Sequence, residues 1–189
     1  PHRPQLAGSV MSAMLTVNAD QPPVDRYARM GAIGRDTTTN VPAIQEESVP
    51  ESNPEVLLDD LMFPEGPRWH DGRLWFSDMH AHEVVAVNME GNRETIVEVP
   101  NQPSGLGWLP DGRMLVVSMT DRRLMRLDVD GLVEAGDMSS LAPFHCNDMV
   151  VDSQGRAYVG NFGSDIFTGE EPKSTNLVMV TPDGEARSV

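Results

Sequence analysis

One sequence pattern occurs three times in this chain, and it constrains the fold more than any other feature. Phe63–Gly91 reads FPEGPRWHDGRLWFSDMHAHEVVAVNMEG, and Gln102–Gly131 reads QPSGLGWLPDGRMLVVSMTDRRLMRLDVDG. His145–Gly184 carries HCNDMVVDSQGRAYVGNFG, then an insertion, then NLVMVTPDG. Gly72, Gly112 and Gly155 each close a turn that leads through an Arg into an apolar strand: LWFSDM, MLVVSM and AYVGNF. The turn glycines lie 40 and then 43 residues apart. A period near 40 made of short strands and Asp-Gly turns predicts an all-β β-propeller, one blade per repeat.

The residue types fit that reading. Val, Leu, Trp and Phe fill the short apolar runs, and Asp-Gly pairs break them at regular intervals. Gly accepts a positive φ at no steric cost, so Asp71-Gly72, Asp111-Gly112, Asp130-Gly131 and Asp183-Gly184 suit hairpin turns. No long 3.6-residue period follows residue 53, so almost no helix is expected there. A β-sandwich also has short strands and turns. The threefold recurrence of one pattern favours the propeller.

The domain organisation is read as an irregular or disordered leader over residues 1–52 and a partial propeller over residues 53–189. The leader holds six prolines, one aromatic residue, a TTTN run and none of the repeat; such a composition buries too little apolar surface to order itself. Ser9–Val17 is its one apolar patch, which makes export a weak alternative to a cytoplasmic location. The chain begins with Pro rather than Met, which hints at a fragment. No stretch approaches a membrane span in length. Residues 51–189 carry ten Lys or Arg against 24 Asp or Glu, and so acidic a surface repels a phosphate backbone, which argues against nucleic acid. The single Cys146 excludes an internal disulfide and fits a reducing compartment.

In a propeller the first strand of each blade lines the channel, and its first residues crowd one mouth. Aligning the repeats on their turns gives Glu65, Ser104 and Asn147 equivalent positions. A carboxylate, a hydroxyl and an amide at one register make a hard-oxygen half-shell of the kind Ca²⁺ or Mg²⁺ prefers. Taken singly, each has a plainer reading as a turn residue, including an Asx turn at Asn147-Asp148.

The segments FPEGPRWHDGRLWFSD and CNDMVVDSQGRAYVGNFG resemble the gluconolactonase and senescence-marker-protein (regucalcin-like) family of six-bladed propellers. The resemblance covers about residues 54–189 and corresponds to some three blades, the N-terminal half. It implies that Glu65 binds a metal and that Asn147 binds the metal or holds substrate and water beside it. His145 falls where many sugar lactonases carry a substrate-contacting arginine. The family completes its site with a later asparagine and an aspartate, the usual candidate for base or nucleophile, which would lie beyond Val189.

The resemblance therefore implies a metal-dependent hydrolase acting on a small-molecule lactone or related ester. A divalent cation, Ca²⁺ before Zn²⁺, Mg²⁺ or Mn²⁺, would polarise the carbonyl. His145, Ser104 and Asn147 are expected to meet substrate, and Asp148 to orient Asn147 or the start of its strand. The isolated 189-residue chain is expected to be inactive, and to self-associate through outer blade faces left open at both ends. The competing reading is a non-catalytic propeller used as an interaction scaffold. Ser104 lacks a GxSxG context, so a serine-hydrolase reading fails. His80 and His82 read as a surface hairpin with little zinc potential, and Cys146 as inert packing. Trp69, Trp75 and Trp108 are expected to face between blades. The insertion over residues 163–176 either caps the mouth or is an ordinary surface loop.

Overall fold

The computed structural model describes residues 53–189, so the reading of residues 1–52 as a leader lies outside the described residues. Each repeat becomes one antiparallel four-stranded sheet with its strands in chain order. The first sheet holds β1 (Pro64–His70), β2 (Arg73–Asp78), β3 (Glu83–Val87) and β4 (Arg93–Glu98). The second holds β5 (Pro103–Trp108), β6 (Met114–Ser118), β7 (Arg123–Asp128) and β8 (Gly131–Asp137). The third holds β9 (Cys146–Val151), β10 (Ala157–Asn161), β11 (Val178–Val180) and β12 (Ala186–Ser188). Among the described residues the only helical element is a 3-10 turn at Met79–Ala81, and no helix is long and apolar enough to cross a membrane. The first strands stand side by side, β1 against β5 and β5 against β9. This is the arrangement of consecutive propeller blades.

Packing between sheets explains the unbroken apolar runs. In β6, Met114 and Val116 join Trp75, Val84, Ala86, Val99 and Leu106 between the first and second sheets. Leu115 and Val117 point the other way, to Leu124, Met149, Ala157, Val159, Val178 and Val180 between the second and third. A strand covered on both faces reads as a continuous hydrophobic run rather than an alternation. Each such side chain contributes about 1.5–3 kcal/mol over its exposed state.

Two expectations need correction. The outer face of the first sheet is not bare. Leu57, Leu58 and Leu61 lie over Leu74, Phe76, Val85 and Val87, and the buried Asp78 carboxylate anchors this segment by accepting the Met62 and Phe63 N–H groups, the latter at 2.7 Å. Trp69 does not face between blades but is 56% exposed. A register irregularity between Glu65 and Arg68 shifts the side-chain parity of β1, so His70 takes the inward position and stacks on Trp108 at 3.9 Å. His80 and His82 lie, as expected, in the exposed loop of the β2–β3 hairpin, which takes the form of the 3-10 turn and its left-handed cap. They bond separately, to Gln102 and to the Pro100 carbonyl.

The turn end of the sheets is held by side-chain hydrogen bonds. The Asp111 carboxylate accepts from the Arg113 backbone N–H and guanidinium. Asp152 accepts from the N–H groups of Gln154 and Arg156 and from the Arg156 guanidinium. These arginines hold both carboxyls below the usual aspartate range.

Candidate functional site

Glu65, Ser104 and Asn147 are each the second residue of a first strand: β1, β5 and β9. All three strands have a register irregularity just past that residue, between Glu65 and Arg68, between Pro103 and Leu106, and opposite Val159 to Asn161. Bulges beside a site re-aim side chains that a regular pleat would point elsewhere.

The three residues do not come together equally. Glu65 and Ser104 are neighbours, Ser104 fully buried and Glu65 half-buried. Glu65 is opposite Ser77, and the Ser77 hydroxyl donates to the Ser104 carbonyl at 2.6 Å. Burial pushes the Glu65 carboxyl above the usual glutamate range; the Ser104 hydroxyl pulls it down, the Asp148 charge pushes it up, and the Arg68 guanidinium pulls it down. Although the hydroxyl lies beside the carboxyl, neither Glu65 Oε1 nor Ser104 Oγ completes a hydrogen bond, and both atoms are buried. Asn147 instead sits over β10. A Cβ at Gly160 would come within 2.5 Å of its Oδ1, so a side chain there would displace this amide.

Asp148 is the link between the first and third sheets. Its carboxylate pairs with Arg68 and accepts the Met149 N–H at 2.8 Å, while Arg68 also donates to the Met149 carbonyl at 2.9 Å. Arg68 was missed from the sequence. Its signal was an arginine three residues after Glu65 in the same first strand, legible only once the bulge had fixed its direction. The close approach of β5 to β9 needs Gly105, where a Cβ would lie 2.5 Å from the Met149 nitrogen.

His145 precedes β9 and stacks on Phe144, ring centroids 4.0 Å apart. Its Nδ1 is buried without a partner, and burial lowers its pKa, opposed by Asp165. Burial thus disfavours the charged imidazolium. Cys146 is fully buried, and burial pushes its thiol up to about 12, which leaves no thiolate to react.

The unpartnered oxygens of Glu65 and Ser104 are hard donors of the right type for a divalent cation. Among the described residues no three His, Cys, Asp or Glu side chains stand close enough together to hold a metal ion. Glu65 and Ser104 thus supply two oxygens of that type and no more.

Comparison with known proteins adds the family. The model of the SMP-30/Gluconolactonase/LRE-like region matches residues 63–189. No curated protein matches the chain at a significant level. Among solved structures, the chain is similar to a gluconolactonase from Xanthomonas campestris, with 19% identity, 70% of this chain and 48% of that chain covered, and a TM-score of 0.55. It is similar to regucalcin, a calcium-binding protein from Agrobacterium tumefaciens, with 19% identity, 68% and 43% covered, and a TM-score of 0.55. It is also similar to virginiamycin B lyase from Staphylococcus aureus, with 14% identity, 67% and 40% covered, and a TM-score of 0.51. The chain thus spans about half the length of the solved structures it matches.

Proposed function

Because this chain belongs to the SMP-30/gluconolactonase/LRE-like family, we propose that it supplies one side of the active site of a metal-dependent hydrolase that opens lactones or related esters. The observation that carries this reading is the buried pair of unpartnered oxygens, Glu65 Oε1 and Ser104 Oγ, at one register of neighbouring first strands. Buried polar atoms without partners are rare in a settled fold and call for an explanation, a ligand among them.

Glu65 and Asn147 are the proposed cation ligands, with Ca²⁺ preferred and Zn²⁺, Mg²⁺ or Mn²⁺ as other candidates. When bound, the cation supplies polarisation of the lactone carbonyl and stabilisation of the charge that builds on its oxygen as water attacks. The residues of this chain prepare for that. Burial disfavours the ionised Glu65 and a cation needs the carboxylate, so the affinity is expected to rise as pH rises through the Glu65 pKa. The Arg68–Asp148 pair ties β1 to β9 and so fixes Asn147 relative to Glu65. Ser104, Asn147 and His145 are proposed to meet the substrate. The general base is proposed to lie outside residues 1–189.

Titration of the full-length protein with Ca²⁺, followed by assay on a lactone panel, tests the reading. Glu65→Gln is expected to remove cation binding, and Asn147→Ala to weaken it by about 10–100-fold. Turnover that is indifferent to added cation and survives Glu65→Gln would overturn the metal role. Absence of both cation binding and turnover in the wild type would favour the scaffold reading instead.

A further inference from the structure

The insertion over residues 163–176 is a built loop beside the candidate site. Asn161, the last residue of β10, clasps both ends: its amide donates to the Asn176 carbonyl at 2.9 Å, and its Oδ1 accepts from the Gly163 N–H at 3.1 Å and the Thr175 hydroxyl at 2.7 Å. Inside the clasp, the Asp165 carboxylate accepts the N–H groups of Phe167 and Thr168 at 3.0 and 3.2 Å. The Asp165 N–H reaches the Glu170 carboxylate, and the Glu170 N–H returns to the Asp165 carbonyl. A turn secured this way fixes the direction of Phe167.

That direction is toward the start of β9. The Phe167 ring lies 6.1 Å from His145 and stands edge-on to Phe162 at 5.9 Å, while His145 stacks on Phe144. Asn147 follows His145 by two residues, and the Phe162 N–H bonds the His145 carbonyl. Four rings thus form one wall at the start of β9, the strand that carries Asn147. Even so, Phe167 is 62% exposed and Ile166 44% exposed, although the loop is tightly bonded. His145 stands where the family resemblance implies an arginine.

We propose that Phe167, Phe162, His145 and Phe144 form an aromatic specificity wall that favours a lactone bearing a hydrophobic or aromatic substituent over a polyhydroxylated sugar lactone. The proposal rests on the lactone-hydrolase reading given above. An apolar substituent would cover the exposed rings and gain from leaving water. The hydroxyls of a sugar lactone would lose water against the Phe167 and Phe162 rings, which offer them no hydrogen bond in return. One missing apolar contact in such a pocket changes the specificity constant by about tenfold or more.

The test compares δ-phenyl-δ-valerolactone with D-glucono-δ-lactone, whose reacting rings are alike, in the full-length protein. The wild type should favour the phenyl lactone. Phe167→Ala should lower the ratio of kcat/KM values about tenfold, and Phe167→Trp should restore it. Calorimetry with the non-hydrolysable phenyl lactam reads the wall without turnover. A ratio that stays within twofold of the wild type in Phe167→Ala overturns the wall and leaves the hydrolase reading standing. If neither lactone is opened, lactam binding that depends on Phe167 upholds the wall while the hydrolase reading falls. No lactam binding by the wild type overturns the wall.

Discussion

At the turn end of the sheets, Asp111, Asp128 and Asp152 all meet arginines, and Asp111 and Asp152 also accept backbone N–H groups. At the opposite end, where β1, β5 and β9 begin, Glu65 Oε1, Ser104 Oγ, Asp121 Oδ1, His145 Nδ1 and Ser164 Oγ are buried without hydrogen-bond partners. All five such atoms among the described residues gather at this one end. The turn end spends its polar groups on closing hairpins. The mouth end also commits carboxylates to the fold, at Asp78 and Asp148, but leaves these five atoms unbonded, as expected where a ligand rather than the chain completes the bonding. At the turn end Asp111, Asp128 and Asp152 lie below the usual aspartate range; at the mouth Glu65 lies above its own range, while Asp137, bonded to Ser139, lies below.

If the two ends differ in this way, substitutions should affect them unequally. The largest effect is expected from Gly105→Ala. Its new Cβ would meet backbone atoms of Asp148 and Met149 at 2.5–2.9 Å, and backbone cannot rotate aside. A loss of about 3 kcal/mol is expected in urea unfolding; a loss near zero would mean that β5 and β9 are not in close contact at the mouth.

Asp78→Ala comes next. It strands the Met62 and Phe63 N–H groups that this buried carboxylate receives, at a cost of about 2 kcal/mol. Hydrogen exchange at those two amides should accelerate along with the global loss. Slow exchange there would show that something other than Asp78 holds the segment over the first sheet.

A smaller effect separates the two ends by pH. The Glu65 proton is held more tightly in the fold than in the unfolded chain. Its contribution is therefore present below the ordinary glutamate value, about 4.3, and lost as pH rises through the raised folded value. Asp152 runs the other way, contributing above the ordinary aspartate value, about 3.9, and losing that as pH falls through its lowered folded value. In cation-free buffer, Glu65→Gln should gain on the wild type as pH rises, whereas Asp152→Asn should lose most near neutrality and little in acid. Unfolding midpoints measured across that range check both signs, and parallel profiles would erase the distinction. The smallest effect is expected at Arg113→Gln. Its pairs with Asp111 and Asp128 are exposed and open to salt screening, so the midpoint should stay within error at 0.15 M salt or above.

The repeat announced its blades through features that are local in sequence: an Asp-Gly turn, an apolar run, and a spacing near 40. Strand order and the matched register of Glu65, Ser104 and Asn147 follow from counting along that repeat. The bulge in β1 does not, because it depends on how one strand meets its neighbour. With it went the direction of Trp69, which the sequence placed inside and the fold turns outward, and that of Arg68, which the sequence passed over. The leucines at 57, 58 and 61 lie outside the repeat, so nothing in its pattern showed that they would cover the first sheet.

Secondary structure and blade order were thus set by the sequence itself, since period and turn chemistry act over a few residues. Tertiary structure alone decided which atoms of the mouth lack partners. That Glu65 Oε1 is buried beside Ser104, that Asp148 reaches Arg68, and that Phe167 turns to His145 each depend on residues from different sheets or from a loop and a strand. Burial and charge depend on distance in space, and spacing along the chain does not supply that distance.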